Sequence, residues 1–424
     1  MSARFILLFM LAAAAGARNL PSADGVIDWR RGTPPTVRKA TARAPSNPRT
    51  DALDYLNAMR TGAGLIAFDA NATLDTAAQN HVNYLLCVNA FGHYENQNDC
   101  PDKYTGVYPQ DRGTAAGYSW QAYGENISAG SPTIIDAVDG LMSAIYHRFG
   151  FLTFSMDEIG IGYGSDSNYA YGTLYNFDMG NRNNVSNTQA LNPDYVLWPY
   201  DGYRKAQTSF DNTESPDPLP ECNDYGVAGN PVSVAFNPDD TSAVSLDAFR
   251  LYDANGTEIT DTKILSSAND NHLDNHKFVL FSMHSLHIDR EYRATFDYTR
   301  ASSQHHLEWT FRTTRYDDPH YDVTDGGSYD IVSGKPYIIQ LRPADCNITL
   351  NPYSYSYSGS APTVERLGYD LFRITATGDV TFYFPDSSNP HFTYTLNIAA
   401  SDNAVAPSPL VPPALVPVVN YLLF

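Results

Sequence analysis

His93, Glu125 and His147 are the residues on which chemistry could be built. Imidazole and carboxylate are the usual nitrogen and oxygen donors to zinc, and also the usual acid–base groups. The three residues come from separate segments: Phe91-Gly92-His93-Tyr94-Glu95, Gly124-Glu125-Asn126-Ile127 and Tyr146-His147-Arg148. A second carboxylate, Glu95, stands two residues after the first histidine. By residue type alone, structural and ligand roles stay open. Glu125 could cap a loop or helix, and His147 falls near the end of an expected helix, where the dipole favours a cation. The sequence contains no Gly-x-Ser-x-Gly and no His-Glu-x-x-His, so it carries neither a nucleophile elbow nor a zincin helix. Gly160-x-Gly162-x-Gly164 lies in a strand pattern with no helix after it, which is not a dinucleotide loop.

These segments need helices and strands to carry them. Leu53, Leu56 and Met59 mark one face of a helix from about Asp51 to Gly62. Leu74, Ala77, Ala78, His81 and Leu85 mark a second, over 71–88, and place His81 in its packed face. Residues 89–122 read as a long loop rich in Gly, Pro, Asn and Asp, and such loops are often functional. Ser131-Pro132 predicts the start of a third helix that ends near His147-Arg148. Strand-like runs follow at 158–163 and 169–177. Residues 184–225 read as a Pro- and Asn-rich linker. Beyond it lie alternating strands such as Val232-x-Val234-x-Phe236 and Leu307-x-Trp309-x-Phe311, which predict half-buried antiparallel sheets.

At 424 residues the chain is too long for one ordinary core. The formal net charge of −20 argues against a nucleic-acid partner and against adhesion to anionic lipid. Residues 1–17 have a basic start, a short apolar run and a small-residue end. This predicts a secretory signal peptide, too short to span a bilayer, and a secreted or cell-envelope location. The cysteines Cys87, Cys100, Cys222 and Cys346 allow three pairings in an oxidising compartment. The pairing nearest in sequence, Cys87 with Cys100, closes a loop around His93 and leaves Cys222 for Cys346. The histidines at 272, 276, 284, 287, 305 and 306 read as surface residues, since adjacent His305 and His306 point to opposite strand faces. Tyr353-x-Tyr355-x-Tyr357 reads equally as an aromatic strip for glycans or as strand packing.

Ala78-x-x-His81, Phe91-Gly92-His93, Gly124-Glu125-Asn126-Ile127, His147-Arg148 and Ile159-Gly160-Ile161-Gly162 occur in this order. The set resembles the CAP superfamily, or SCP domain, of cysteine-rich secretory, antigen 5 and pathogenesis-related proteins, in its bacterial extracellular branch. The resemblance implies an α-β-α sandwich over 51–183 with a cleft lined by two His and two Glu that can hold a divalent ion. His93, Glu125 and His147 match three of the four. The second Glu falls near Ala144 and is absent, with Glu95 as a spatial substitute.

The expected fold is therefore α+β. It comprises a signal peptide (1–17), a basic Pro-rich arm (18–50), the CAP unit (51–183), the linker (184–225), an Ig-like β-sandwich (226–316), a second small β domain (317–400) and a Pro-rich tail (401–424). The expected function is binding of a small or apolar ligand in a His93/Glu125/His147/Glu95 cleft, with zinc or magnesium as the metal such a set would take. The β domains serve as spacers or adhesion modules. The alternatives are a metal-assisted hydrolase of peptide or cell-wall substrate and a structural envelope component.

Overall fold

The computed structural model describes residues 47–348, 354–385, 393–402 and 404, with two-residue strands β1 (Phe5–Ile6) and β2 (Ile27–Asp28). The expected signal peptide, basic arm and Pro-rich tail lie almost wholly outside the described residues.

Helix α1 (Pro48–Gly62) starts before the expected Asp51. Asn47 caps it by accepting from Arg49 N, and Pro48 supplies the first-turn proline. Helix α2 (Ala72–Val88) follows a short strand β3 (Asp69–Ala70) and is capped by Asn71. The expected loop 89–122 contains helix α3 (Pro109–Ala115). The Gly-Glu-Asn segment lies in strand β4 (Ala122–Ala129), antiparallel to β6 (Thr173–Asn181), which in turn pairs with β5 (Glu158–Ser165).

The expected third helix is two. Helix α4 (Ile134–Ser143) is capped by Thr133 rather than Ser131, and α5 (Ile145–Phe151) restarts after Ala144, whose ψ of 119° is extended. Helix α2 covers one face of the sheet, while α1, α4 and α5 cover the other. This is the expected α-β-α sandwich.

Gly160 and Gly162 let strand β5 lie against α2. A Cβ on Gly160 would collide with the Leu74 and Asp75 backbone, and one on Gly162 with that of Ala78. Because the obstacles are backbone atoms of a packed helix, Gly160→Ala is expected to cost at least about 3 kcal/mol, measured as the shift in a urea unfolding midpoint.

Residues 184–225 are not a linker. They form α6 (Val185–Gln189), β7 (Tyr195–Trp198), β8 (Tyr203–Ala206) and β9 (Ser209–Asp211). Strand β9 pairs with β10 (Val227–Gly229). Strand β7 is the edge of a sheet ordered β13-β14-β11-β7, built from β11 (Val232–Phe236), β13 (Thr262–Leu265) and β14 (Lys277–Ser282). Strand β8 is the edge of the facing sheet, β12-β15-β16-β8, which contains β12 (Val244–Tyr252), β15 (Glu291–Arg300) and β16 (Ser303–Thr313).

A second pair of sheets follows from β17 (His320–Val323) to β24 (Thr393–Ser401), with its own core around Tyr337, Ile339, Phe372 and Phe382. Tyr355 faces that core, which favours packing over a glycan strip. The disulfides are Cys87–Cys100 and Cys222–Cys346, and the second joins the first pair of sheets to the second.

Strand β11 departs from the expected half-burial, since all five of its residues are buried. The N-terminal α-β-α unit covers its outer face. Arg148 of α5 donates to Pro231 O at 2.8 Å and Ser233 Oγ at 3.2 Å, and one apolar cluster runs from Leu56 and Met142 to Val234 and Phe296. The N-terminal α-β-α unit and the first pair of sheets therefore share a core.

Candidate functional site

Two expected residues meet. His93 Nδ1 lies 2.7 Å from Glu125 Oε1, and both side chains are buried. His93 is placed by Gly92, whose φ of +150° suits glycine. Glu125 is placed by β4, and its other oxygen accepts from Arg112 Nη2 at 2.5 Å and Asn176 Nδ2 at 3.0 Å. Arg112, on α3, also donates to the carbonyl of His93 at 2.9 Å. The carboxylate therefore orients the imidazole, and the guanidinium anchors the carboxylate. His93 Nε2 is buried with no hydrogen-bond partner among the described residues.

Burial alone would raise the Glu125 pKa. The Arg112 guanidinium, with His81 and His93, outweighs it and holds this carboxyl well below the usual range. Asp178 sits opposite Glu125 on β6, fully buried. Burial, then the charge of Glu125, pushes its pKa well above that of an ordinary aspartate. A raised acid stabilises the fold at low pH and loses that contribution as pH rises from about 3.9 through its folded pKa. Asp178→Asn is expected to stabilise the protein at pH 7, with a gain that disappears towards pH 4 and a slope of up to about 1.4 kcal/mol per pH unit. Urea titrations across that range read the difference.

Glu95 does not join His93. It pairs with His81, whose Nδ1 lies 2.9 Å from Glu95 Oε1 and whose Nε2 lies 2.9 Å from the carbonyl of Gly92. Both imidazole nitrogens face oxygen. Burial first, then Arg112, lowers the His81 pKa, while Glu125 and Glu95 act to raise it. His81 is a core histidine, as its helical face predicts, but also a charged-cluster member.

His147 does not join the pair either. Successive side chains of a strand point to opposite faces. Glu125 faces α2, whereas Asn126 faces α5 and donates to the His147 carbonyl at 2.8 Å. The His147 imidazole pairs instead with Glu214, Nδ1 to Oε1, at 2.9 Å. The residues thus do not fit a divalent ion. No three His, Cys, Asp or Glu side chains converge as a metal site among the described residues, and Arg112 already neutralises the negative charge that Glu125 would offer a cation.

Arg112, Asn176, Asp178 and Glu214 escape sequence reading. Arg112 and Asp178 carry no local signal, and Glu214 lies in a stretch that reads as linker. Among the C-terminal histidines, His306 bonds Asp297 at 2.6 Å while His305 stacks on Tyr298, on opposite faces as expected.

Outside the buried cluster, Tyr94, Val107 and Tyr108 are 41%, 39% and 45% exposed, and the two rings meet edge-on at 5.5 Å. They lie on the chain immediately flanking His93 and leading into α3. Partial burial, then Tyr108 and Glu125, raises the Tyr94 pKa.

Residues 53–178 match the family model described as the cysteine-rich secretory protein family, CAP. The chain carries a CAP domain. A search of curated proteins finds no match. Among solved structures, the chain is similar to an extracellular protein with an SCP domain from Bacillus anthracis (20% identity, 32% of this chain and 45% of that one, TM-score 0.26). It is also similar to an outer surface protein of Borrelia burgdorferi (15% identity, 32% and 92%, TM-score 0.28). A third is a venom allergen-like protein of Schistosoma mansoni (13% identity, 32% and 88%, TM-score 0.24). This chain spans less than half of the Bacillus protein. No helix among the described residues is long and apolar enough to cross a membrane.

Proposed function

We propose that this is an exported binding protein whose CAP domain takes a small ligand with an apolar face at Tyr94, Val107 and Tyr108. The observation that carries this reading is the exposed aromatic pair on the chain that flanks His93, whose buried Nε2 has no hydrogen-bond partner among the described residues. A few placed polar groups beside an apolar surface are the usual make-up of a small-molecule site. The Glu125–Arg112 pair holds the imidazole rigid, so little ordering entropy is lost on binding. The two disulfides suit an oxidising compartment outside the cytosol. The β region serves as a rigid base for the CAP domain, supported by their shared core.

The test uses 1-anilinonaphthalene-8-sulfonate as an apolar probe, titrated into the full-length protein and into a Tyr94→Ser/Tyr108→Ser variant. Saturable fluorescence that falls at least tenfold in affinity in the variant supports the reading. Equal binding by both proteins, or none by wild type, overturns it. Native mass spectrometry of the secreted protein then reports the mass of any natural ligand retained.

A further inference from the structure

We propose that Glu214, outside the CAP sequence, is a positioning residue for His147. It fixes the tautomer of that imidazole and makes its orientation conditional on the docked β region. A carboxylate only accepts hydrogen bonds when ionised, so the contact at 2.9 Å puts the proton of His147 on Nδ1. The same carboxylate takes the first backbone donors of α5: Ile145 N at 2.7 Å, Tyr146 N at 2.8 Å and His147 N at 3.3 Å. Ala144, at the N-cap, has no side chain that could do this. The break between α4 and α5 is thus filled from a segment 67 residues further along the chain.

Glu214 is itself held by the β region. Neighbouring Asn212 donates to Gly226 O and Leu219 O, and Thr208 and Ser209 bond Asp370 of the second pair of sheets. The arrangement repeats a pattern. His81, His93 and His147 each direct Nδ1 at a carboxylate, at 2.9, 2.7 and 2.9 Å. The first two carboxylates, Glu95 and Glu125, belong to the CAP sequence, and the third does not. This inference rests on the geometry of His147 alone and is independent of the ligand reading at Tyr94 and Tyr108.

The test is long-range 1H–15N correlation on full-length protein labelled at histidine, at about pH 8, with His147 assigned from a His147→Gln variant. Wild type is expected to show His147 with Nδ1 protonated and Nε2 bare. Glu214→Gln keeps the shape but offers an amide where N–H groups converge. It is expected to move the His147 resonances towards the mixed tautomers of a free imidazole, with those of His93 unmoved. Glu214→Asp provides a second variant, in which the wild-type tautomer is expected to be partly retained. A wild-type His147 protonated on Nε2 overturns the proposal without any variant. An unchanged tautomer in a folded Glu214→Gln protein also overturns it, and leaves Glu214 as a helix cap alone.

Discussion

Arg112→Ala is expected to cost about 3–5 kcal/mol in unfolding free energy, the loss typical when one partner of a buried ion pair is removed. Arg112 and Glu125 are both almost fully buried, 2.5 Å apart, and Asp178 lies across the sheet from Glu125. Without the guanidinium, two acids share a dry site, in which Asn176 and His93 remain beside Glu125. The pH dependence carries a signature. Because the folded pKa of Glu125 is depressed, its stabilising contribution is present above the unfolded value of about 4.3 and is lost as pH falls through the folded pKa. In the variant that contribution disappears, so the gap between wild type and variant narrows towards low pH. Arg112→Lys restores one charge but not the bonds to both Glu125 and His93 O, so it should recover only part of the loss. Urea midpoints at several pH values measure all three proteins. Equal stability of Arg112→Ala and wild type at pH 7 would show that the cluster is not an ion pair in solution.

A fragment ending at Asn183 is expected not to fold, although it contains the whole CAP match. It lacks the carboxylate that caps α5 and the acceptors of the Arg148 guanidinium, Pro231 O and Ser233 Oγ. It also exposes the face that covers β11, where Tyr146 packs edge-on to His272 and Phe149 lies under Lys277. Each large apolar side chain returned to water costs about 1.5–3 kcal/mol, so a few suffice to exhaust a typical total of about 5–15 kcal/mol. Circular dichroism and proteolysis of the fragment, beside one ending at residue 316, give the answer. A fragment ending at Asn183 that unfolds cooperatively would mean that the shared core is dispensable.

The elements set by local signals were legible. The apolar faces of α1 and α2 follow from helical spacing, and the Cys87–Cys100 pairing from nearness in sequence, which leaves Cys222 for Cys346. The Asn47-Pro48 start of α1 was equally available and is a plain cap-plus-proline signal. What was not legible depends on distant chain. No Gly or Pro marks the break at Ala144, because the group that stabilises it is Glu214. Val232 to Phe236 alternates like a half-buried strand, but its polar Ser233 meets Arg148 rather than water. By residue type alone, His93, Glu125 and His147 form one donor set, because no local signal assigns Gly-Glu-Asn to an element. Once that segment is a strand, the alternation of Glu125 and Asn126 turns the two histidines to different partners.

The double burial of β11 also bears on how the protein is made. During synthesis the CAP sequence emerges complete while Glu214, β11 and β14 do not yet exist. At ordinary elongation rates the roughly 130 residues up to the end of β16 take on the order of 10 s. Throughout that interval Tyr146, Phe149 and Arg148 wait without their partners. The N-terminal unit is therefore expected to close only after its later strands arrive, with the nascent chain presenting an apolar surface until then.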